Sequence, residues 1–173
     1  MHIATKVIHV GGEPDKETGA VIPPIYQTST YAQKGPGDHL GYAYSRSHNP
    51  TRTRLEENLA SLENAKYALV TSSGVSCMSL LMHGIPKGSK VICGEDIYGG
   101  TYRLFSTVFN ETHEFKFIDT TNLKQVETYL KTGPELIWLE TPTNPLLKIT
   151  DIKKVSDLAK KYRVKVVVDN TFM

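Results

Sequence analysis

From Tyr67 onward the chain repeats one alternation: a short apolar run, a loop, a helical stretch, then the next apolar run. The runs are Tyr67 to Val70, Val91 to Cys93, Phe115 to Ile118, Leu136 to Leu139 and Val164 to Val168. Between them lie stretches of helical spacing at Val75 to His83, Thr101 to Phe109, Asn122 to Lys131 and Asp151 to Tyr162. A helix carries the chain back along the sheet, so strands joined in this way run parallel. Continuously apolar strands need cover on both faces. The pattern therefore predicts an α/β fold, a mostly parallel sheet with helices on both faces, and 173 residues suffice for one such core.

Residues 1–50 break the pattern. Gly11-Gly12, Pro23-Pro24 and Gly35-Pro36-Gly37 punctuate a polar stretch of little periodicity, which reads as an extended arm. Ordering such a segment costs about 1–2 kcal/mol of backbone entropy per residue, so it is expected to lie against a neighbouring subunit. Residues 51–173 would form the α/β domain. Its first helix begins at Asn49-Pro50, a cap followed by proline at the first helical position, and carries Leu55, Leu59 and Leu62 at helical spacing.

Composition excludes some partners. Twenty Lys and Arg against 18 Asp and Glu leave a net charge of +2, which gives no footprint for nucleic acid or an anionic membrane. Cys77 and Cys93 lack Cys-x-x-Cys spacing, so neither a disulfide framework nor a metal site is expected, and reduced cytoplasm is the default. The start, Met1-His2-Ile3-Ala4-Thr5-Lys6, has no leader-like apolar core, and no run approaches the roughly 20 residues that span a bilayer.

Ligands of open α/β sheets sit outside the carboxyl ends of the strands, and here those ends carry unusual loops. The first run leads into Thr71-Ser72-Ser73-Gly74-Val75 and a helix, offering hydroxyls and helix-start amides to an anion. Neither Gly-x-Gly-x-x-Gly nor a Walker lysine sequence occurs, which weighs against a nucleotide-binding Rossmann-like domain. The second run leads to Tyr98-Gly99-Gly100-Thr101, an aromatic ring beside a tight turn. The fourth passes into Thr141-Pro142-Thr143-Asn144-Pro145, where two prolines stiffen a loop that presents Asn144. The fifth ends in Asp169, a carboxylate that would be costly to bury unpaired, with Thr171 on the same face if the strand continues. Phosphate cradle, stacking ring, placed amide and carboxylate together suit a phosphorylated aromatic cation, and pyridoxal phosphate has those features.

In the arm, Tyr44-Ser45-Arg46 and Asn49-Pro50-Thr51 gather aromatic, cationic and capping residues. With Ser73-Gly74, Tyr98-Gly99-Gly100-Thr101, Glu140-Thr141-Pro142-Thr143-Asn144-Pro145 and Asp169-Asn170-Thr171-Phe172, they make an ordered set along the whole chain. The set closely resembles the first part of the Cys/Met-metabolism pyridoxal-phosphate enzymes, the trans-sulfuration family of the cystathionine γ-synthases, cystathionine and methionine γ-lyases and homoserine sulfhydrylases. The resemblance implies a fold-type I large domain, pyridoxal 5'-phosphate as cofactor, and γ-replacement or γ-elimination on cystathionine or an O-acylhomoserine. It also implies a homo-oligomer. By the same resemblance, Gly74 and Val75 would offer amides to the phosphate. Tyr44 and Arg46 would reach the phosphate of the neighbouring subunit's cofactor. Tyr98 would stack on the ring and assist proton transfer, Asn144 would orient the ring hydroxyl, and Asp169, with Thr171 beside it, would pair with the ring nitrogen. Arg103 would meet the distal end of the substrate.

The sequence departs from the family pattern at three places. Methionine γ-lyases carry cysteine where this chain has Gly100, and several cystathionine enzymes carry an acidic residue where it has Ala43, which favours a smaller γ-substituted substrate. The family's Schiff-base lysine lies downstream of Asp-Asn-Thr-Phe and is not reached. Lys66, Lys90, Lys116 and Lys165 precede or lie within predicted strands and do not stand in for it. The C-terminal domain is likewise expected elsewhere, and the contrasting expectation is a truncated, non-catalytic binding or interaction module.

Overall fold

The computed structural model describes residues 1–173, which divide into two compact units, Met1–Ser72 and Ser73–Met173.

The first unit holds helices α1 (Ile3–His9) and α2 (Pro50–Leu62) joined by a long loop. Asn49 caps α2 as expected, its Oδ1 accepting the Thr51 N–H at 2.9 Å. Helix α1 is a departure from the extended arm. The end of the helix is tied to α2, whose Asn58 amide donates to the carbonyls of Lys6, Val7 and Val10 at 3.1, 3.2 and 2.8 Å. The chain leaves α1 through Gly11 at φ +72°, where a Cβ would stand 2.4 Å from the Arg54 carbonyl oxygen. The loop then folds on itself through an antiparallel bridge between Thr30 and Tyr44.

The expected strand Tyr67 to Val70 does not form. A strand needs a neighbour's main chain, and here the Val70 N–H is taken by the Glu56 carboxylate at 3.1 Å while Tyr67 and Leu69 stay exposed.

The second unit is the α/β body, with strands β1 (Lys90–Gly94), β2 (Glu114–Ile118), β3 (Leu136–Glu140) and β4 (Lys165–Asp169). They form one sheet in the order β2-β1-β3-β4, all parallel. Pleating sends alternate residues to opposite faces. Val91, Cys93, Leu136 and Trp138 pack with Met78 and Met82 of α3 (Gly74–His83) and with Phe105 and Phe109. Ile92, Ile118, Ile137 and Leu139 pack with α5 (Leu123–Leu130) and α6 (Ile152–Lys161). Each such buried aliphatic side chain contributes roughly 1.5–3 kcal/mol.

The helix expected over Thr101 to Phe109 starts earlier, as α4 (Gly99–Arg103), and then widens into a π-helical turn over Leu104–Val108. The Ser106 and Thr107 hydroxyls donate to the carbonyls of Tyr102 and Arg103, the acceptors an α-helical ladder would use. The Phe109 N–H bonds Leu104 instead, one residue further back.

Candidate active site

The carboxyl ends of β1, β3 and β4 share one edge of the sheet. Glu140 and Asp169 are partners in the β3–β4 register, and the pleat sends both to the face that carries α3. Asp169 is not the buried charge expected of it. It is half-buried. The strand also stops there, so Thr171 does not share its face by continuation. A turn brings Thr171 back, and its N–H and Oγ1 donate to Asp169 Oδ1 at 3.2 and 2.6 Å, which orients the carboxylate.

The buried carboxylate is Glu140, 6 % exposed. Its Oε2 accepts the Tyr98 N–H and its Oε1 the Asn144 N–H, both at 2.9 Å. Burial pushes its carboxyl pKa above the ordinary value; the two N–H donors oppose that rise, and the charges of Asp169 and Asp96 add to it. Sequence reasoning assigned Glu140 no role. The signal was present, because an apolar strand that ends in a charge describes Leu136 to Glu140 as well as Val164 to Asp169.

A second carboxylate ties the same loops. Asp96, after β1, accepts from the Thr143 hydroxyl and from the Leu146 N–H, the latter at 3.2 Å, while Glu95 pairs with Lys148 at 3.0 Å. The Tyr98 ring lies over Gly100, where a Cβ would meet Tyr98 Cε1 at 2.3 Å. At the start of α3, the Ser73 hydroxyl accepts the Ser76 N–H at 3.2 Å, and Gly74 and Val75 occupy the first positions, whose N–H groups lie beyond the reach of the helical ladder.

These elements enclose a cavity of about 350 Å³ lined by Ser73, Gly74, Val75, Met78, Tyr98, Glu140, Pro142, Asn144, Asp169, Thr171 and Phe172. That volume is within the range of small-molecule sites. Gly74, Val75, Tyr98, Asn144, Asp169 and Thr171 are thus brought together. Arg103 is exposed at the end of α4, its guanidinium folded back toward Gly99. Tyr44 and Arg46 belong to the first unit, with the Arg46 guanidinium 4.9 Å from the centre of the Tyr44 ring. Lys90 and Lys165 open their strands and Lys116 lies inside one, so none of them stands at a carboxyl end.

Residues 4–173 match the family of Cys/Met metabolism PLP-dependent enzymes. The chain belongs to that family. A probable cystathionine γ-synthase of Herpetosiphon aurantiacus is 54 % identical over 170 residues, covering 98 % of this chain and 53 % of the relative. A cystathionine γ-lyase of Dictyostelium discoideum is 47 % identical over 173 residues, covering 99 % of this chain and 45 % of its own. Among solved structures, cystathionine γ-synthase of Xanthomonas oryzae in complex with cystathionine superposes with a TM-score of 0.93 at 36 % identity, over all of this chain and 45 % of that one. The metB protein of Corynebacterium glutamicum does so with a TM-score of 0.92 at 42 % identity, over 98 % and 45 %. The chain therefore spans about half the length of the family members it matches. The sheet and its helices are the fold they share.

Proposed function

We propose that the cavity is the cofactor side of an active site for γ-replacement or γ-elimination on a sulfur amino acid or an O-acylhomoserine, with pyridoxal 5'-phosphate as cofactor. The observation that carries this is the meeting, around one cavity, of a helix start, an aromatic ring, an amide and a carboxylate. That donor set suits the cofactor's phosphate, ring, ring hydroxyl and ring nitrogen in turn. When bound, pyridoxal phosphate supplies an electron sink for charge that develops at the substrate's Cα. Gly74 and Val75 donate N–H groups to its phosphate, and Tyr98 stacks on the ring and passes a proton to the leaving group. Asn144 orients the ring hydroxyl. Asp169, held by Thr171, keeps the ring nitrogen protonated.

Arg103 is assigned to the distal polar end of the substrate. Residues 1–50 act between subunits of a homo-oligomer, with Tyr44 and Arg46 directed to the neighbour's phosphate, and residues 51–173 belong to the cofactor domain. We place the protein in the cytoplasm; no helix is long and apolar enough to cross a membrane. The test is turnover by the full-length protein loaded with pyridoxal phosphate and offered cystathionine, O-acylhomoserine with cysteine, and methionine. Turnover of either of the first two is expected, and no turnover of any overturns the proposal.

A further inference from the structure

We propose that Glu140 is a positioning residue of this site, because its one buried carboxylate sets where both the Tyr98 ring and the Asn144 amide stand. This rests on reading the cavity as the pyridoxal-phosphate site. Each oxygen takes one main-chain N–H, Tyr98 on Oε2 and Asn144 on Oε1, and the two donors come from different loops. The acceptor sits on β3, a central strand laddered on both sides, by β1 and by β4. Two separate loops are thereby referred to one point on the sheet. Asp96 ties the same pair of loops further out, through Thr143 and Leu146.

The chemistry calls for a carboxylate. A glutamine there keeps the length and one acceptor, but turns an NH2 toward the second N–H, so that two donors face each other. An aspartate is one methylene too short to span both loops. The cost of a buried negative charge is already visible in the raised carboxyl pKa, and the arrangement persists because both oxygens are engaged.

The experiment measures the pyridoxal-phosphate dissociation constant of the full-length protein by absorbance titration, for the wild type, Glu140→Gln, Tyr98→Ala/Asn144→Ala and the triple variant. Glu140→Gln should weaken binding about tenfold in the wild-type background, the order expected from one lost charge-assisted hydrogen bond. In the Tyr98→Ala/Asn144→Ala background it should change the constant by less than about twofold, because the groups it positions are gone. Equal fold-changes in both backgrounds, or none in the first, overturn the proposal. A wild type that binds no pyridoxal phosphate overturns the cofactor reading itself. Should Glu140→Gln not fold, amide exchange in the wild type decides: the Tyr98 and Asn144 N–H groups should open together, and exchange rates tenfold or more apart overturn the proposal.

Discussion

Gly100→Ala separates the needs of the fold from those of the site. Gly100 is the second residue of α4, where alanine gains at most about 0.5–1 kcal/mol over glycine from backbone entropy. The new Cβ would meet Tyr98 Cε1 at 2.3 Å, and ordinary carbon contacts need about 3.5 Å, so the ring edge has to retreat by about 1.2 Å. Tyr98 is 45 % exposed, and its ring can swing outward at a rotamer cost of roughly 0.5–1.5 kcal/mol. The two terms nearly cancel, so the melting temperature should move little. The ring, however, leaves its stacking position. Losing an aromatic stack worth about 0.5–1.5 kcal/mol weakens pyridoxal phosphate binding roughly two- to tenfold. Thermal melts and an absorbance titration of the full-length protein measure the two quantities separately. Unchanged affinity would refute the claim that the Tyr98 ring is placed by the room above Gly100, and so would a loss of affinity matched by a large fall in melting temperature.

Three further outcomes follow from particular contacts. Because the folded carboxyl of Glu140 is raised above its ordinary 4.5, its contribution to stability is full below that value and declines as pH rises through the folded pKa. The stability difference between the wild type and Glu140→Gln should therefore shrink from pH 4 to 7 in urea titrations, and a widening difference would show that the two N–H donors outweigh burial and lower the pKa instead. Trp138 is 3 % exposed in the core, and its Nε1 is buried with no hydrogen-bond partner. Trp138→Phe removes that unpaired donor and should cost less than about 1 kcal/mol, whereas Trp138→Ala should cost about 3–5 kcal/mol, both read by chemical denaturation. Asn58→Ala removes the side-chain donor that ties the carbonyls of Lys6, Val7 and Val10 to α2, so amide exchange across Ile3–His9 should accelerate at least tenfold while the sheet is unaffected.

The parallel sheet was legible because its runs are apolar on both faces, and Val91 to Cys93 and Leu136 to Leu139 do fill both cores. Tyr67 to Val70 has the same composition, but a run carries no information about whether a partner strand is at hand. Helix α1 was illegible for a related reason: its anchor, Asn58, is far along the chain. The π-helical turn is set by main-chain bonds such as that from the Phe109 N–H to Leu104, which periodicity does not report. At the site, the rule that a charged strand end marks chemistry was applied to Asp169, and it holds for Glu140 as well. Glu140 is buried, on a strand paired on both sides, whereas Asp169 is half-buried.

The central claim is that the loops after β1, β3 and β4 and the start of α3 hold pyridoxal phosphate. A crystal structure of the full-length protein grown with the cofactor tests it directly. The phosphate should receive the Gly74 and Val75 N–H groups, the ring should lie against Tyr98, and the ring nitrogen should stand within about 2.6–3.2 Å of the Asp169 carboxylate. A cofactor bound away from this cavity, or with its phosphate at the Asp169 end, would contradict the account.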